Sequence, residues 1–213
     1  MRDTLIALTC LCLTMPVSLV AAKEKKQSKQ MDPQAIMEVY KKLATPGEPH
    51  KLFASLAGSW TTQTKEWMEP GKPPMESKGS CEEKVLLDGR FLQQECTGEK
   101  IGIDGFMRDP HRMMGEPFTG IGVTGYDNHT KKYVSTWMDS MGTGIFVMEG
   151  TGSPDGKTVK LKGDHQDPIE GTMKHHAVWK IVDANTQVFE LWSSGKHTKD
   201  MKMMEITYTR KQG

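Results

Sequence analysis

The chain has 213 residues, of which 36% are hydrophobic and 26% charged, a size and composition typical of about one soluble domain. This composition excludes a collagen, a coiled coil and a wholly disordered chain. The 28 basic and 27 acidic residues give a formal net charge of +1, so we expect no nucleic-acid partner attracted by overall charge.

Residues 1–22 have the features of a secretory signal peptide. An apolar run from Thr4 ends in the small residues Ala21 and Ala22, and charged residues follow from Lys23. The run is nearly long enough for a membrane span, so a retained N-terminal anchor is the alternative. We predict cleavage after Ala22, a secreted or periplasmic location, and no stable membrane insertion of the mature chain.

Two further segments follow the signal peptide. Residues 23–31 are rich in Lys and Gln and carry almost no apolar side chains, which is typical of a flexible tether. Together with a short helix after it, this tether makes up residues 23–47. A single barrel domain is predicted over residues 48–213.

Two short helices are predicted before the first strand. Asp32 and Pro33 fit the N-cap and the first turn of a helix over about residues 33–43, whose apolar side chains recur at helical spacing. A second helix is predicted over about residues 50–57, and Gly58 ends it.

The rest of the chain has the pattern of an all-β protein. Short stretches of alternating polar and apolar residues are separated by tight turns that contain Gly, Asp or Asn. An antiparallel meander of about ten strands is predicted, and we expect it to close into a barrel because closure removes exposed edges. The predicted strands lie near residues 60–67, 77–87, 90–97, 118–126, 132–139, 144–150, 158–162, 172–182, 187–194 and 202–211.

The predicted interior of the barrel is mixed in polarity. On several strands, the alternate row that carries the apolar side chains also carries hydroxyl, imidazole or guanidinium groups. Such an interior is more consistent with a cavity that holds a ligand or water than with a close-packed small barrel. The residues predicted to line a ligand are Tyr133, Trp137, His175, Trp179, Tyr208 and Arg210.

Two cysteines, Cys81 and Cys96, remain after signal cleavage and lie on either side of the pair Asp88 and Gly89. A two-residue turn at this pair places the cysteines opposite each other on neighbouring strands. The same turn makes them a hydrogen-bonded pair, in which side chains lie farther apart than in the other type of pair. A structural disulfide and two separate thiols therefore both remain open.

Several motifs occur along the chain in a familiar order. They are Gly58-Ser59-Trp60 after a short helix, followed by residues 89–91, 118–127, 137–140 and 203–210. The first motif resembles the opening Gly-x-Trp of the calycin group, which includes lipocalins and fatty-acid-binding proteins. The whole set resembles an exported bacterial family known only as a domain of unknown function, over about residues 50–211.

The resemblance implies a calycin-like barrel and brings no established reaction or ligand. In calycins an arginine late in the chain packs on the tryptophan of the first motif, which implies a structural role for Arg210 on Trp60. A carboxylate or phosphate of a ligand is the alternative partner of Arg210. The sequence lacks the Gly-x-Gly-x-Gly run of haem-binding nitrobindins, so the resemblance implies no haem, and we expect no cofactor.

His175 is the candidate residue for chemistry inside the barrel. An inward histidine can bind a metal ion or act as a general base, although a structural hydrogen bond is its more common role. The chain contains no Gly-x-Ser-x-Gly, His-Glu-x-x-His or Cys-x-x-Cys motif. We therefore predict no catalytic residues and no metal site.

Two other patterns have an ordinary structural interpretation. Gly120, Gly122 and Gly125 lack the features of a phosphate-binding loop and are expected to let a strand bend. Methionine and histidine clusters such as the one near Met113 suit Cu(I), but methionine also suits a lid or the lining of an apolar pocket. We expect a lid over the barrel from residues 98–117.

Three functions from different classes follow from these observations. The leading hypothesis is an exported barrel that binds a small apolar or amphiphilic ligand without catalysis. The second is a structural or envelope-associated domain with a filled barrel that contacts another protein. The third is a metal-binding or enzymatic site centred on His175.

Overall fold

The protein is a closed antiparallel barrel, seen in a computed structural model that describes residues 32–100 and 117–212. The last strand pairs with the first, and every other pair joins neighbours in sequence. The predicted all-β fold class, a meander barrel after two short helices, is confirmed. The elements are α1 (Pro33–Ala44), α2 (Glu48–Leu56), β1 (Gly58–Glu66), β2 (Met75–Leu86), β3 (Phe91–Lys100), β4 (Pro117–Asp127), β5 (Lys132–Asp139), β6 (Phe146–Gly152), β7 (Thr158–Asp167), β8 (Gly171–Asp183), β9 (Thr186–Ser194) and β10 (Met201–Arg210).

Some predictions concern residues outside this description. The predicted signal peptide and tether, residues 1–31, lie outside the described residues, and so do residues 101–116 of the predicted lid. Within the described ranges, no helix has both the length and the apolar character needed to cross a membrane.

The two helices differ in how they contact the barrel. The side chain of Asp32 accepts a hydrogen bond from the Gln34 amide at 3.1 Å, so α1 begins with the predicted cap. No residue of α1 is buried. In contrast, α2 buries Phe53 and Leu56 and packs against β2, β3 and β4. Therefore α2 belongs to the core, whereas α1 lies on the surface.

The barrel has two unlike ends. Because neighbouring strands are antiparallel, β1 and β3 begin, and β2 ends, at the end next to α2, which we call the helix end. At the opposite end, which we call the far end, β6 and β8 begin and β7 ends.

The largest boundary difference from the sequence prediction is at β7, which continues to Asp167 instead of ending at Lys162. The polar residues after Lys162 resemble a turn in isolation, but all of them pair with β8. By strand alternation, His165 lies on the same face as the buried Leu161. The longer strand therefore adds a histidine to the inward row.

The turn between β2 and β3 is longer than the predicted two-residue turn. The last cross-strand pair is Leu86 with Phe91, so residues 87–90 form the turn. This change in turn length reverses the alternation of pair types along the hairpin, and Cys81 and Cys96 lie with their Cα atoms only 4.1 Å apart. They form a disulfide. The predicted register was right, and the objection based on pair type was wrong.

Candidate functional site

Trp60 and Arg210 close the helix end of the barrel. Trp60 is 0% exposed, and its Nε1 donates a hydrogen bond to the Leu56 carbonyl at 3.0 Å. The Arg210 guanidinium lies over the indole, with Cζ 4.2 Å from the ring centroid. Gly58 has a φ of +135°, and a Cβ there would lie 2.6 Å from Arg210 Nη1. The Gly-x-Trp motif thus supplies both the space for the arginine and the ring on which it stacks.

The hydrogen bonds of Arg210 go to main-chain carbonyls. Its Nη2 donates to Ser55 at 2.6 Å, its Nη1 to Ala57 at 2.8 Å and its Nε to Ala184 at 2.8 Å. The first two carbonyls lie at the C-terminal end of α2, where the helix leaves carbonyls unpaired. These contacts fit the structural role that the resemblance implied for Arg210.

At the far end, Trp137 lies flat against two glycines of β4. A Cβ at Gly120 would overlap the indole ring, and a Cβ at Gly122 would lie 2.9 Å from it. The indole Nε1 donates to the Asp139 carboxylate at 2.9 Å, and the ring stays partly exposed. The glycines that were expected to bend the strand therefore also provide the surface on which an aromatic ring rests.

Two histidines, on β7 and β8, form a hydrogen-bonded pair at the far end. His165 Nδ1 lies 2.8 Å from His175 Nε2, and the other ring nitrogen of His175 lies 2.7 Å from Ser193 Oγ. The edge of Phe146 meets both imidazoles, with its centroid 5.0 Å from that of His175. Burial, and then the neighbouring His165, lower the pKa of His175 to about 4. His175 is therefore neutral near neutral pH.

The pair offers few ligands to a metal ion. Across the described ranges, no three His, Cys, Asp or Glu side chains come together in a way that would hold a metal. His165 and His175 meet here, but both ring nitrogens of His175 are engaged in hydrogen bonds, with His165 and with Ser193. The cluster near Met113 lies outside the described residues.

A polar cluster lies inside the barrel toward the helix end. Glu83 is 2% exposed, and its Oε1 accepts hydrogen bonds from the amides of Gln94 at 2.7 Å and Gln187 at 2.9 Å. Gln187 in turn accepts from the Trp179 indole at 2.7 Å. Glu83 Oε2 has no hydrogen-bond partner among the residues that the structure describes. Burial raises the pKa of Glu83 to about 7, because a low-dielectric interior disfavours the ionised form.

The six residues predicted to line a ligand do not form one site. Tyr133, Trp179 and Tyr208 are at most 5% exposed and lie toward the helix end, and Arg210 stacks on Trp60 there. Only Trp137 and His175 lie at the far end, and both are partly exposed. Around His175, the residues not predicted from the sequence are Phe146, His165 and Ser193. In the polar cluster toward the helix end, they are Glu83, Gln94 and Gln187.

Strand alternation could have identified His165, since it continues the row of Val159 and Leu161. The predicted register of the hairpin likewise places Gln94 opposite Glu83. The contact of Glu83 with Gln187 had no such signal, because Gln187 is 104 residues away in sequence.

Comparison with known proteins identifies the family but no activity. A family model described as a protein of unknown function, DUF1579, matches residues 45–210. The chain belongs to the DUF1579 family. The match begins directly after α1 and ends on the last residue of β10, so in this DUF1579 protein it spans α2 and the whole barrel. None of the curated proteins compared with it matches in sequence.

Solved structures similar to this DUF1579 protein are barrels of low sequence identity. Rv2717c from M. tuberculosis superimposes with a TM-score of 0.54 at 12% identity, over 79% of this chain and 100% of that one. A redesigned β-barrel matches with a TM-score of 0.39 at 14% identity, over 75% and 95% of the two chains. The similarity to Rv2717c supports the fold alone. The redesigned barrel superimposes too poorly to support any conclusion about this chain.

Proposed function

We propose that this protein is an exported barrel that binds a small apolar or amphiphilic molecule at its far end without catalysing a reaction. One observation carries the proposal. The inward-facing Trp137, Phe146 and His175 at the far end keep part of their surface exposed, whereas Trp60 and Phe53 at the helix end are completely buried. Small-molecule sites are usually concave and mostly apolar, and accessible aromatic side chains at the unsealed end of a barrel suit the lining of one.

The chemistry of the far end favours a ligand with a large apolar part. Trp137 and Phe146 offer aromatic surface, and His175 is uncharged near neutral pH because its pKa is lowered to about 4. The hydrogen-bonded imidazoles of His165 and His175 add polar atoms that can orient a ligand.

A binding role without catalysis is supported by the position of Ser193. Its hydroxyl lies 2.7 Å from His175 Nδ1, which is the spacing of an activated nucleophile and its base. However, Ser193 is only 2% exposed, so a substrate has no access to this hydroxyl. The contact instead holds the His175 ring in place.

Export is supported by the disulfide between Cys81 and Cys96. Structural disulfides form and persist mainly in oxidising compartments such as the periplasm or the extracellular space. This agrees with the signal peptide predicted for residues 1–22.

Native mass spectrometry tests the proposal directly. The mature protein is purified from the exported fraction of its own host, and the same sample is extracted with organic solvent. A stoichiometric adduct that denaturation removes is the expected result. A bare mass, together with no saturable binding of the apolar probe N-phenyl-1-naphthylamine, would reject ligand binding.

Two tryptophan variants locate the site. Trp137→Ala should weaken probe binding about tenfold, because it removes aromatic surface worth roughly 1 to 2 kcal/mol. Trp192→Ala is the matched control, since Trp192 lies on the outer face, stacked on His176 at 5.1 Å. Equal affinities of the two variants would place the site elsewhere.

A protein-contact role is the second candidate, and the surface of α1 favours it. Val39 and Tyr40 are 49% and 66% exposed, which is high for apolar side chains on one helix. Crosslinking in host cells tests this role. A crosslinked partner that disappears in Val39→Lys/Tyr40→Lys would support it, and an unchanged pattern would reject it.

A further inference from the structure

We propose that Glu83 binds a protonated amine of the ligand through its free carboxylate oxygen. The ligand would then be an apolar molecule with an ammonium group at its inner end. This inference rests on the proposed function and names the chemical class of the ligand.

The geometry of Glu83 leaves one oxygen available. Gln94 and Gln187, on opposite sides of the carboxylate in the sheet order, both donate to Oε1, at 2.7 and 2.9 Å. Oε2 is buried and, within residues 32–100 and 117–212, has no hydrogen-bond partner. A buried carboxylate oxygen without a donor is costly, so such an oxygen in a native interior requires an explanation. A donor carried by a ligand supplies one.

The charged and titratable neighbours of Glu83 do not supply that donor. In the described part of the chain, the groups that interact electrostatically with Glu83 are Arg210 and Tyr208 of β10. The hydrogen bonds of Arg210 go to the carbonyls of Ser55, Ala57 and Ala184. Burial raises the pKa of the Tyr208 phenol, so it keeps its proton, but among the described residues no hydrogen bond joins this hydroxyl to Glu83 Oε2. Arg210 therefore acts on Glu83 electrostatically, and its positive charge offsets part of the negative charge of the carboxylate.

Some inward side chains near Glu83 keep part of their surface accessible. Gln94, which bonds directly to Glu83, is partly exposed, although its side chain lies on the inward row. The inward-facing Phe189 and Ile206 are also only partly buried. These inward side chains are the ones that the apolar part of a ligand bound at Glu83 would contact.

The charge of the site favours an ammonium group over other polar groups. The raised pKa of about 7 reflects an interior that disfavours an isolated negative charge, and a bound cation would relieve this cost. An alcohol would donate a hydrogen bond without neutralising the carboxylate. A ligand carboxylate would be repelled by Glu83.

Three probes with the same alkyl chain test the proposal: octylamine, octanol and octanoate. Their affinities for the mature protein are measured by isothermal titration calorimetry at about pH 8, where an alkylamine is protonated. We expect octylamine to bind about tenfold more tightly than octanol, and octanoate to bind most weakly.

Two variants assign the preference to Glu83. Glu83→Gln should remove the advantage of octylamine over octanol. Glu82→Gln should keep it, because Glu82 is exposed on the outer face of the same strand, where it bonds to Ser59 at 2.6 Å. If Glu83→Gln does not fold, the wild-type protein gives the answer. Octylamine should then bind more weakly at about pH 6 than at about pH 8, while octanol binding stays constant.

The possible failures are distinguishable. If octanoate binds as tightly as octylamine, or if Glu83→Gln behaves as Glu82→Gln does, the inference is wrong and the proposed function stands. If none of the three probes binds saturably, the proposed function fails and the inference fails with it.

Discussion

Glu83 and His175 affect folding stability in opposite directions over the same pH range. The pKa of Glu83 is raised from 4.5 to about 7, so the folded protein holds a proton that the unfolded chain has lost, and stability falls as pH rises through this window. The pKa of His175 is lowered from 6.5 to about 4, so stability instead falls as pH drops through its window. The two effects partly cancel where the windows overlap.

Single variants should separate these two contributions. In His175→Asn, the free energy of unfolding should fall by about 3 kcal/mol from about pH 4.5 to pH 7, because among the described groups Glu83 then has the largest pKa shift in this range. In Glu83→Gln, stability should rise with pH over that range, by less than this amount because His175 is partly solvated. Urea melts at a series of pH values measure both slopes. Parallel profiles for the two variants would contradict the shifts.

The contact between Gly120 and Trp137 gives a prediction about packing. Gly120→Ala should destabilise the protein by about 1 to 3 kcal/mol and change Trp137 fluorescence, because the new methyl group overlaps the indole ring. Gly144→Ala is the control, since a Cβ at Gly144 meets nothing within 4 Å. A similar small effect for both substitutions, measured in denaturant melts, would mean that the ring can move away freely.

At the scale of elements, one arginine joins β10 to α2 and one disulfide joins β2 to β3. Arg210 at the end of β10 is bonded to the carbonyl end of α2, so the last strand fixes the helix that seals the barrel. The disulfide links β2 to β3 across their hairpin. The Arg210 contacts lie at the helix end, and the disulfide lies next to Trp60, which pairs with Cys81.

Removal of the guanidinium should loosen α2. Arg210→Met should lower the free energy of unfolding by about 2 to 4 kcal/mol, because the carbonyls of Ser55 and Ala57 lose a charged donor and Trp60 loses its stacking partner. Lys211→Met, at the next and exposed position, should change it by less than about 0.5 kcal/mol. Denaturant melts of the ligand-free protein compare them, and equal values would exclude a structural role for Arg210.

Loss of the disulfide should also destabilise the fold. The bridge closes a loop with a sequence separation of 15, for which the chain-entropy relation gives about 3 kcal/mol. A Cys81→Ala/Cys96→Ala variant should therefore melt earlier than the oxidised protein, and a reducing agent should not shift its melting temperature further. An additional shift on reduction would indicate an effect unrelated to this bridge.

At the scale of the whole molecule, the barrel and α2 form one folded unit to which α1 contributes little. The family match starts at residue 45, and α1 buries no residue. Its described connections to the barrel include hydrogen bonds from Asn128 to the Leu43 carbonyl and from Arg90 to the Ala44 carbonyl.

Two truncations test this division. A chain that begins at Thr45 should fold and lose about 1 kcal/mol of stability, because it gives up only partly exposed hydrogen bonds. A chain that begins at Gly58 should fail to fold, because the buried Phe53 and Leu56 are then missing from the helix end. Circular dichroism melts of the two chains decide the matter, and a folded chain without α2 would contradict the sealed end described above.

The sequence by itself determined the ten strands, the inward rows and the position of the two helices. This was possible because side-chain alternation and turn residues are local properties, and Asp88-Gly89 or the row containing Trp179 carries them without reference to the rest of the fold. The tertiary structure decided which inward residues meet. Glu83 reaches Gln187 because the barrel closes in one register, and His165 reaches His175 because β7 continues past Lys162 and pairs with β8. A slip of one residue in the pairing of a strand moves its side chains to the opposite face, so contacts across the barrel depend on the register of the whole meander and no local pattern specifies them.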